Sequence, residues 1–305
     1  MIHTVTLNPS IDVTVQMDRL KVGEVQQLAN PTEDPGGKGM NVARALDGLD
    51  KPVIAWVFLG GDRGKRWQEA AETADVPLEI ITLSTETRQN IKLSEEGANR
   101  ETELNFQGAD YEESVCKDFV GRLSEQIVQG NLVVVAGSPL KGTPFEFWDD
   151  LATSIRAKGG ILIADMSGPG LIQIAKTFPF LIKINREEFN DWFGLACVSL
   201  NEVYVALQNR ESLESHLLVT DGPAGTLAWT KRRNVYRQPA AKVKVAGTVG
   251  AGDAYLAGFL AEWDAGGEDW ESAMRWGSAT AAGAIELEGI RFAKAKRVNE
   301  LLKSF

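Results

Sequence analysis

The strongest constraint on this chain is a series of short, wholly apolar runs, each closing on a polar or glycine residue. Leu132 to Ala136 ends in Gly137-Ser138, Ile161 to Ala164 in Asp165, Leu181 to Ile184 at Asn185, and Leu217 to Val219 in Thr220-Asp221-Gly222. Between the runs the pattern turns helical. Val115, Phe119, Leu123 and Ile127 recur every four residues, and Leu151 and Ile155 continue the rhythm. A strand that is apolar on both sides has to be covered on both faces, and alternating strands and helices do this around a parallel sheet. The reading is therefore an α/β fold. Ligands of open parallel sheets sit outside the carboxyl ends of the strands, so Gly137, Asp165, Asn185 and Gly222 point to one shared crevice. Strand-to-helix turns also need Gly, Asn, Ser and Asp for local reasons, and no single turn separates the two readings.

The N-terminal third reads differently. Ile2 to Val15 alternates and is rich in Val and Thr, with Asn8-Pro9-Ser10 as a break. Val22 to Leu28 reads as another short strand. Pro35-Gly36-Gly37-Lys38-Gly39 leads into a helix with Val42, Ala43, Leu46 and Leu49 on one face, and Val53 to Leu59 is an apolar strand. Residues 88–93 and 101–106 alternate around a polar turn, as in a hairpin exposed on one face.

Composition excludes several classes of function. A chain of 305 residues has room for about two domains, or one large α/β domain with an appendage. The net charge is -10, and the densest basic cluster is only Lys231-Arg232-Arg233. Neither nucleic acid nor an anionic membrane surface is expected as the main partner, and an anionic substrate must find local cations. Cys116 and Cys197 lie far apart, and His3 and His216 show no ligand spacing. No disulfide framework and no Cys- or His-based metal site is expected, which fits a reducing cytoplasm. The start MIHTVTLNPS lacks a leader pattern, and no uncharged apolar run reaches about 18 residues.

The sharpest local signal is Thr248-Val249-Gly250-Ala251-Gly252-Asp253, which opens the apolar helical stretch Ala254 to Leu260. A glycine-rich turn at a helix start offers backbone N–H groups and the positive end of the helix dipole to phosphate or a developing anion. It is neither a Walker A loop nor a full dinucleotide fingerprint. Two readings of Asp253 stay open here. It is the N-cap of the helix, or it is a carboxylate that accepts a proton or holds a metal beside the bound anion.

Taken together, these segments resemble the PfkB (ribokinase-like) family of carbohydrate kinases along nearly the whole chain. The resemblance is closest to the branch acting on phosphorylated hexoses, of the 1-phosphofructokinase and tagatose-6-phosphate kinase type. The matching pieces are Thr6 to Asp12, Gly36-Gly37-Lys38-Gly39 with Asn41 to Arg44, Thr87 to Asn90, Gly137-Ser138, Lys183 to Glu188, Thr220 to Gly225 and Thr248 to Asp253. The last is specific on its own; the others gain weight from their order and spacing.

The resemblance implies a ribokinase-like α/β domain over residues 1–305, with a mainly parallel central sheet flanked by helices. It also implies a small β-sheet lid, built from segments of about 11–34 and 88–108, that serves as a homodimer interface. By the same analogy Asp253 is the catalytic base, and the Gly250-Ala251-Gly252 turn is the anion hole, through the Ala251 and Gly252 N–H groups. Asp12, Gly37, Lys38, Asn41, Arg88, Asn90 and Ser138 are implied to bind the sugar phosphate. Lys183, Asn185, Thr220, Gly222, Gly225, Thr248, Gly250 and Gly252 are implied to bind ATP. Asn185 and Glu188 match the motif that supports Mg²⁺, through water.

Three departures from the family pattern stand out. Ile184 replaces a proline, Asp221 places a carboxylate near the nucleotide phosphates, and Val25-Gln26-Gln27 lacks the cation that relatives carry there. Two other functions remain open. One is a kinase of an unphosphorylated sugar or nucleoside, against which Lys38 and Arg88 argue. The other is a sugar-phosphate- or nucleotide-binding regulator without catalysis, against which the intact Asp253 turn argues.

Overall fold

The computed structural model describes residues 1–305 apart from 73–74, 99, 211–212, 264–268 and 288. The chain opens with β1 (Ile2–Thr6), β2 (Ser10–Met17), β3 (Thr32–Gly36) and α1 (Lys38–Gly48). There follow β4 (Val53–Leu59), α2 (Gly61–Ala71), β5 (Leu78–Thr82), β6 (Arg88–Glu95), β7 (Arg100–Leu104) and α3 (Glu113–Gln126). The expected alternation then runs through β8 (Leu132–Ala136), α4 (Phe145–Ala157), β9 (Ile161–Asp165), α5 (Gly168–Ala175), β10 (Leu181–Asn185), α6 (Arg186–Phe193), α7 (Leu200–Gln208) and β11 (His216–Thr220). The chain closes with β12 (Thr226–Trp229), β13 (Val235–Gln238), α8 (Ala251–Glu262), α9 (Trp270–Ile285) and α10 (Ala295–Leu302).

A nine-stranded sheet has the order β13-β12-β11-β10-β9-β8-β1-β4-β5. From β11 to β5 all neighbours are parallel, while β12 and β13 return antiparallel. The continuous apolar runs follow from this placement, because successive side chains enter two different cores. Val133 and Val135 of β8 pack into one core with Phe119, Leu151, Leu171 and Phe189. Leu132 and Val134 pack into the other with Leu46, Leu256, Phe259 and Met274. Fully burying one such side chain contributes about 1.5–3 kcal/mol.

A second sheet of four strands has the order β3-β2-β6-β7. Its centre is a parallel pair, with Ser10 opposite Arg88 and Asp12 opposite Asn90. Ile11 and Val13 of β2 turn into the core beneath, which puts Ser10 and Asp12 on the opposite face. The hairpin expected at 88–93 and 101–106 is β6 and β7, paired antiparallel, with β7 ending at Leu104.

The strand expected at Val22 to Leu28 is absent; this segment is loop, with Val22 and Val25 90% and 97% exposed. Its β-branched residues have the propensity but neither a partner strand nor a face to bury. The loop closes on itself instead, as Gln26 accepts from the Lys21 N–H and donates to the Arg19 carbonyl. The actual neighbour of β2 is β3, whose sequence Thr-Glu-Asp-Pro-Gly carries turn signals. Pro35 is tolerated there because β3 is an edge strand.

Candidate functional site

The carboxyl ends of β8, β9, β10 and β11 lie side by side, so the turns at Gly137, Asp165, Asn185 and Thr220 line one edge. The most buried charge there is Asp165, whose side chain has 0% exposure. Its Oδ2 accepts from Lys183 Nζ at 2.9 Å and its Oδ1 from Lys38 Nζ at 3.3 Å. Lys38, in the first turn of α1, also faces Glu188 Oε1 at 3.5 Å. Burial pushes the Asp165 carboxyl up, but the two ammonium groups outweigh it and hold it below its ordinary value. In return the Asp165 charge, with smaller contributions from Glu188 and Asp253, raises Lys38 well above the usual lysine value.

Asp253 lies above this cluster in the first turn of α8. The N-cap is Gly250, in a left-handed conformation with φ 78°, so the capping reading of Asp253 is excluded. The helix starts before the aspartate and leaves its carboxylate for other work. That carboxylate is buried, and its Oδ2 accepts from Asn41 Nδ2 at 2.8 Å. Burial and the nearby Asp165 charge push its pKa up to about 6, against the pull of Lys38, Lys183 and Asn41. A Cβ at Gly252 would lie 2.9 Å from Lys183 Nζ, so the glycine lets the ammonium reach up against the turn. Within the turn, the Ala251 N–H donates to the Thr248 carbonyl at a long 3.3 Å.

The small sheet supplies the facing wall. Asp12 Oδ1 accepts from Ser10 Oγ at 2.6 Å and from Asn90 Nδ2 at 3.0 Å. Burial raises the Asp12 pKa, and these two bonds with the Arg88 charge oppose the rise. Asp12 Oδ2 lies directly over Gly36, where any Cβ would come within 2.1 Å of it. Asn90 Oδ1 takes the Phe106 N–H, while Arg88 Nη1 donates to the Phe106 carbonyl at 3.0 Å. Arg88 Nε is buried and has no partner among the described residues. Gly37 is the N-cap of α1, joining this wall to Lys38 and Asn41. Ser138 Oγ accepts from Asn8 Nδ2 at 3.1 Å, tying the β8 turn to the β1–β2 turn. The two cations expected at the sugar phosphate thus separate. Arg88 stays beside Asp12, and Lys38 joins the carboxylates at the sheet edge.

Asn185 and Glu188 form a capping box on α6. Asn185 Oδ1 takes the Glu188 N–H at 2.7 Å, and Glu188 Oε2 takes the Asn185 N–H at 2.8 Å. Thr220 follows in register beside Asn185, and Gly222 to Gly225 make a tight turn closed by the Asp221 N–H on the Gly225 carbonyl. The carboxylate of Asp221 is answered on the spot, since Arg186 Nε donates to its Oδ1 at 2.9 Å. Two contributors were missed in the sequence. Ser10 and Asn8 lie in the Asn-Pro-Ser segment that read as turn chemistry, and only the fold reveals their partners.

The sequence pattern described as "pfkB family carbohydrate kinase" matches residues 5–296. The 1-phosphofructokinase of Bacillus subtilis is 32% identical over 262 residues, covering 86% of this chain and 85% of its own. The tagatose-6-phosphate kinase of Staphylococcus epidermidis is 29% identical, covering 85% and 84%. Phosphofructokinase-2 from Escherichia coli, solved in complex with substrates and products, superposes with a TM-score of 0.88 at 26% identity, over 99% of this chain and 98% of that one.

Proposed function

Because the chain belongs to the pfkB family of carbohydrate kinases, we propose that it transfers the γ-phosphoryl group of ATP to a hydroxyl of a phosphorylated hexose. The observation that carries this reading is Asp253, a buried carboxylate with its pKa pushed up to about 6, at a helix start flanked by two lysines. A general base works best with a pKa near the working pH. Asp253 takes the proton as the sugar oxygen bonds to the γ-phosphorus. The bond from that phosphorus to the bridging oxygen breaks, and ADP leaves with the electron pair.

The remaining demand is for positive charge, because phosphoryl transfer is positioning plus electrostatic stabilisation. Lys38, Lys183 and the N–H groups of Ala251 and Gly252 supply it. Asn41 holds the Asp253 carboxylate. Asp12 and Asn90 bind sugar hydroxyls beside Gly37 and Ser138, and Arg88 takes the phosphate already on the sugar. On the other side the turns carrying Asn185, Thr220, Gly222, Gly225, Thr248 and Gly250 hold ATP. The Arg186–Asp221 pair keeps the Asp221 carboxylate from repelling it.

The donor set fits Mg²⁺ held mostly through water. Both oxygens of Asp165 are taken by lysines, whereas Glu188 Oε1 has only a 3.5 Å contact with Lys38. Asn185 and Glu188 would hold the ion through water, and when bound with ATP it would supply charge neutralisation at the phosphates. The small sheet acts as a lid over the sugar, and the exposed Val22 and Val25 of the loop between β2 and β3, with Phe106 just past β7, suit a homodimer contact. No helix among the described residues is long and apolar enough to cross a membrane.

The test is a panel of fructose 1-phosphate, tagatose 6-phosphate, fructose 6-phosphate and unphosphorylated fructose with ATP and Mg²⁺, read as ADP release. A preference for one of the phosphorylated sugars is expected. Faster turnover of the unphosphorylated sugar would overturn the substrate class, and no turnover of any would favour a binding regulator.

A further inference from the structure

Asp165 closes one of the apolar runs and gains its significance only from the fold. We propose that it is a positioning residue for phosphoryl transfer. Its two oxygens hold the ammonium groups of Lys38 and Lys183 as a fixed pair beside Asp253, in place before the nucleotide arrives. The proposal rests on the kinase reading of the site. Both oxygens are committed to a lysine, at 3.3 and 2.9 Å, and the side chain is wholly out of water. The backbone that carries the carboxylate is anchored, because the Asp165 carbonyl accepts the Gly137 N–H and the residue pairs with Ala136 at the end of β9.

The two lysines arrive from different parts of the fold, Lys38 from the start of α1 and Lys183 from inside β10. Each carries its charge on a flexible four-carbon stem and would roam without a partner. One shared carboxylate removes that freedom for both, which is preorganisation in the ordinary sense. A buried ion pair is in itself weak evidence for stability, so its value here lies in geometry. The charges of the cluster fit this role. Asp165 and Glu188 answer the two ammonium groups, leaving Asp253 as the carboxylate with raised proton affinity.

The test begins with Asp165→Asn, which keeps the shape and one acceptor but removes the charge. The expected kcat is lower by about 30- to 100-fold, with KM for the sugar phosphate within about twofold, since Asp12 and Arg88 are untouched. The acid limb of kcat against pH should also move down, because Asp253 loses a like-charged neighbour while Lys38 and Lys183 remain. The readout that a bystander in the core would not move is the loss of kcat at an unchanged sugar-phosphate KM. An unmoved limb with kcat within about threefold of wild type overturns the proposal. So does a large rise in the Mg²⁺ concentration needed for half-maximal rate, which would make Asp165 a metal ligand.

If Asp165→Asn does not fold, Lys38→Met replaces it, because this variant leaves the Asp165–Lys183 pair intact. It should lower kcat by at least about tenfold with the sugar-phosphate KM unchanged, and wild-type kcat would overturn the proposal. Wild-type protein that turns over no sugar phosphate sinks the kinase reading, and this proposal with it. An active wild type with an equally active Asp165→Asn sinks this proposal alone.

Discussion

The two walls of the cleft satisfy their charges in opposite ways. At the edge of the large sheet, charge answers charge. Asp165, Lys183 and Asp253 are all buried, and their partners are other ions or a single amide. On the small sheet the half-buried Asp12 is answered by the neutral Ser10 and Asn90, and Arg88 keeps a buried Nε without a partner among the described residues. The first arrangement is held by ion pairs within the protein, with the Asn41 Oδ1 beside Asp253 left without a partner among the described residues. The second is incomplete and adjustable, and one strand of its sheet borders an exposed loop. In the proposed function, chemistry falls to the first wall and substrate choice to the other.

The comparison breaks most sharply at Asp253. Asp253→Asn should lower kcat by about 10²–10⁴-fold while ATP still binds, measured by steady-state rates and equilibrium binding. Near-wild-type turnover would show that the first wall carries no base. Next in size is Arg88→Ala. It should raise KM for the phosphorylated sugar by roughly 10- to 100-fold and leave KM for ATP unchanged. An equal loss on the unphosphorylated parent sugar would make Arg88 a structural tie to Phe106.

A smaller effect concerns pH. The folded Asp253 binds its proton up to about pH 6, above the ordinary carboxylate value, so in that window the folded state holds more protons than the unfolded. Stability from this group is therefore present at low pH and lost as pH rises through about 6. Activity runs the other way, because the base must be charged. Hence kcat should fall as pH drops through about 6, and Asp253→Asn should raise Tm at alkaline pH more than near pH 4. An unchanged Tm across both conditions would remove the idea of a carboxyl with raised proton affinity in the folded state. The smallest effect is in dynamics. Saturating sugar phosphate should slow hydrogen exchange in residues 22–30 and in β6 and β7 more than in β8 to β10. Unchanged exchange in the small sheet would argue that it does not close.

What could be read from the sequence follows the same division. The strands of the large sheet were legible because burial on both faces writes an apolar run, and Leu132–Ala136 has the same limits in both descriptions. The small sheet was harder. Val22 to Leu28 has strand composition with nothing to pair with, while Thr32–Gly36 has turn composition and pairs with β2 all the same. Of the site, the glycine turn was visible as local chemistry, whereas Asn185-x-x-Glu188 stood out only through the resemblance, and the capping box it forms went unread. The bond of Lys38 to Asp165 was not visible, because it joins residues 127 positions apart. Nor could the sequence show that the unexpected Asp221 has Arg186 beside it, 35 positions away.

The parallel pairing of β2 with β6 bears on how the molecule assembles itself. Asp12 and Asn90 are 78 residues apart in sequence, with α1, β4, α2 and β5 between their strands. An antiparallel pair can close on a two-residue turn, but a parallel pair needs a long crossover. Here the crossover is itself part of the large sheet, as β4 and β5 stack onto β1. The entropy of closing so long a loop has to be met before its contacts give anything back. The small sheet therefore forms after that edge of the core has docked. A chain halted before Arg88 would have β3 alone to flank β2, so the small sheet cannot be completed until β6 and β7 follow.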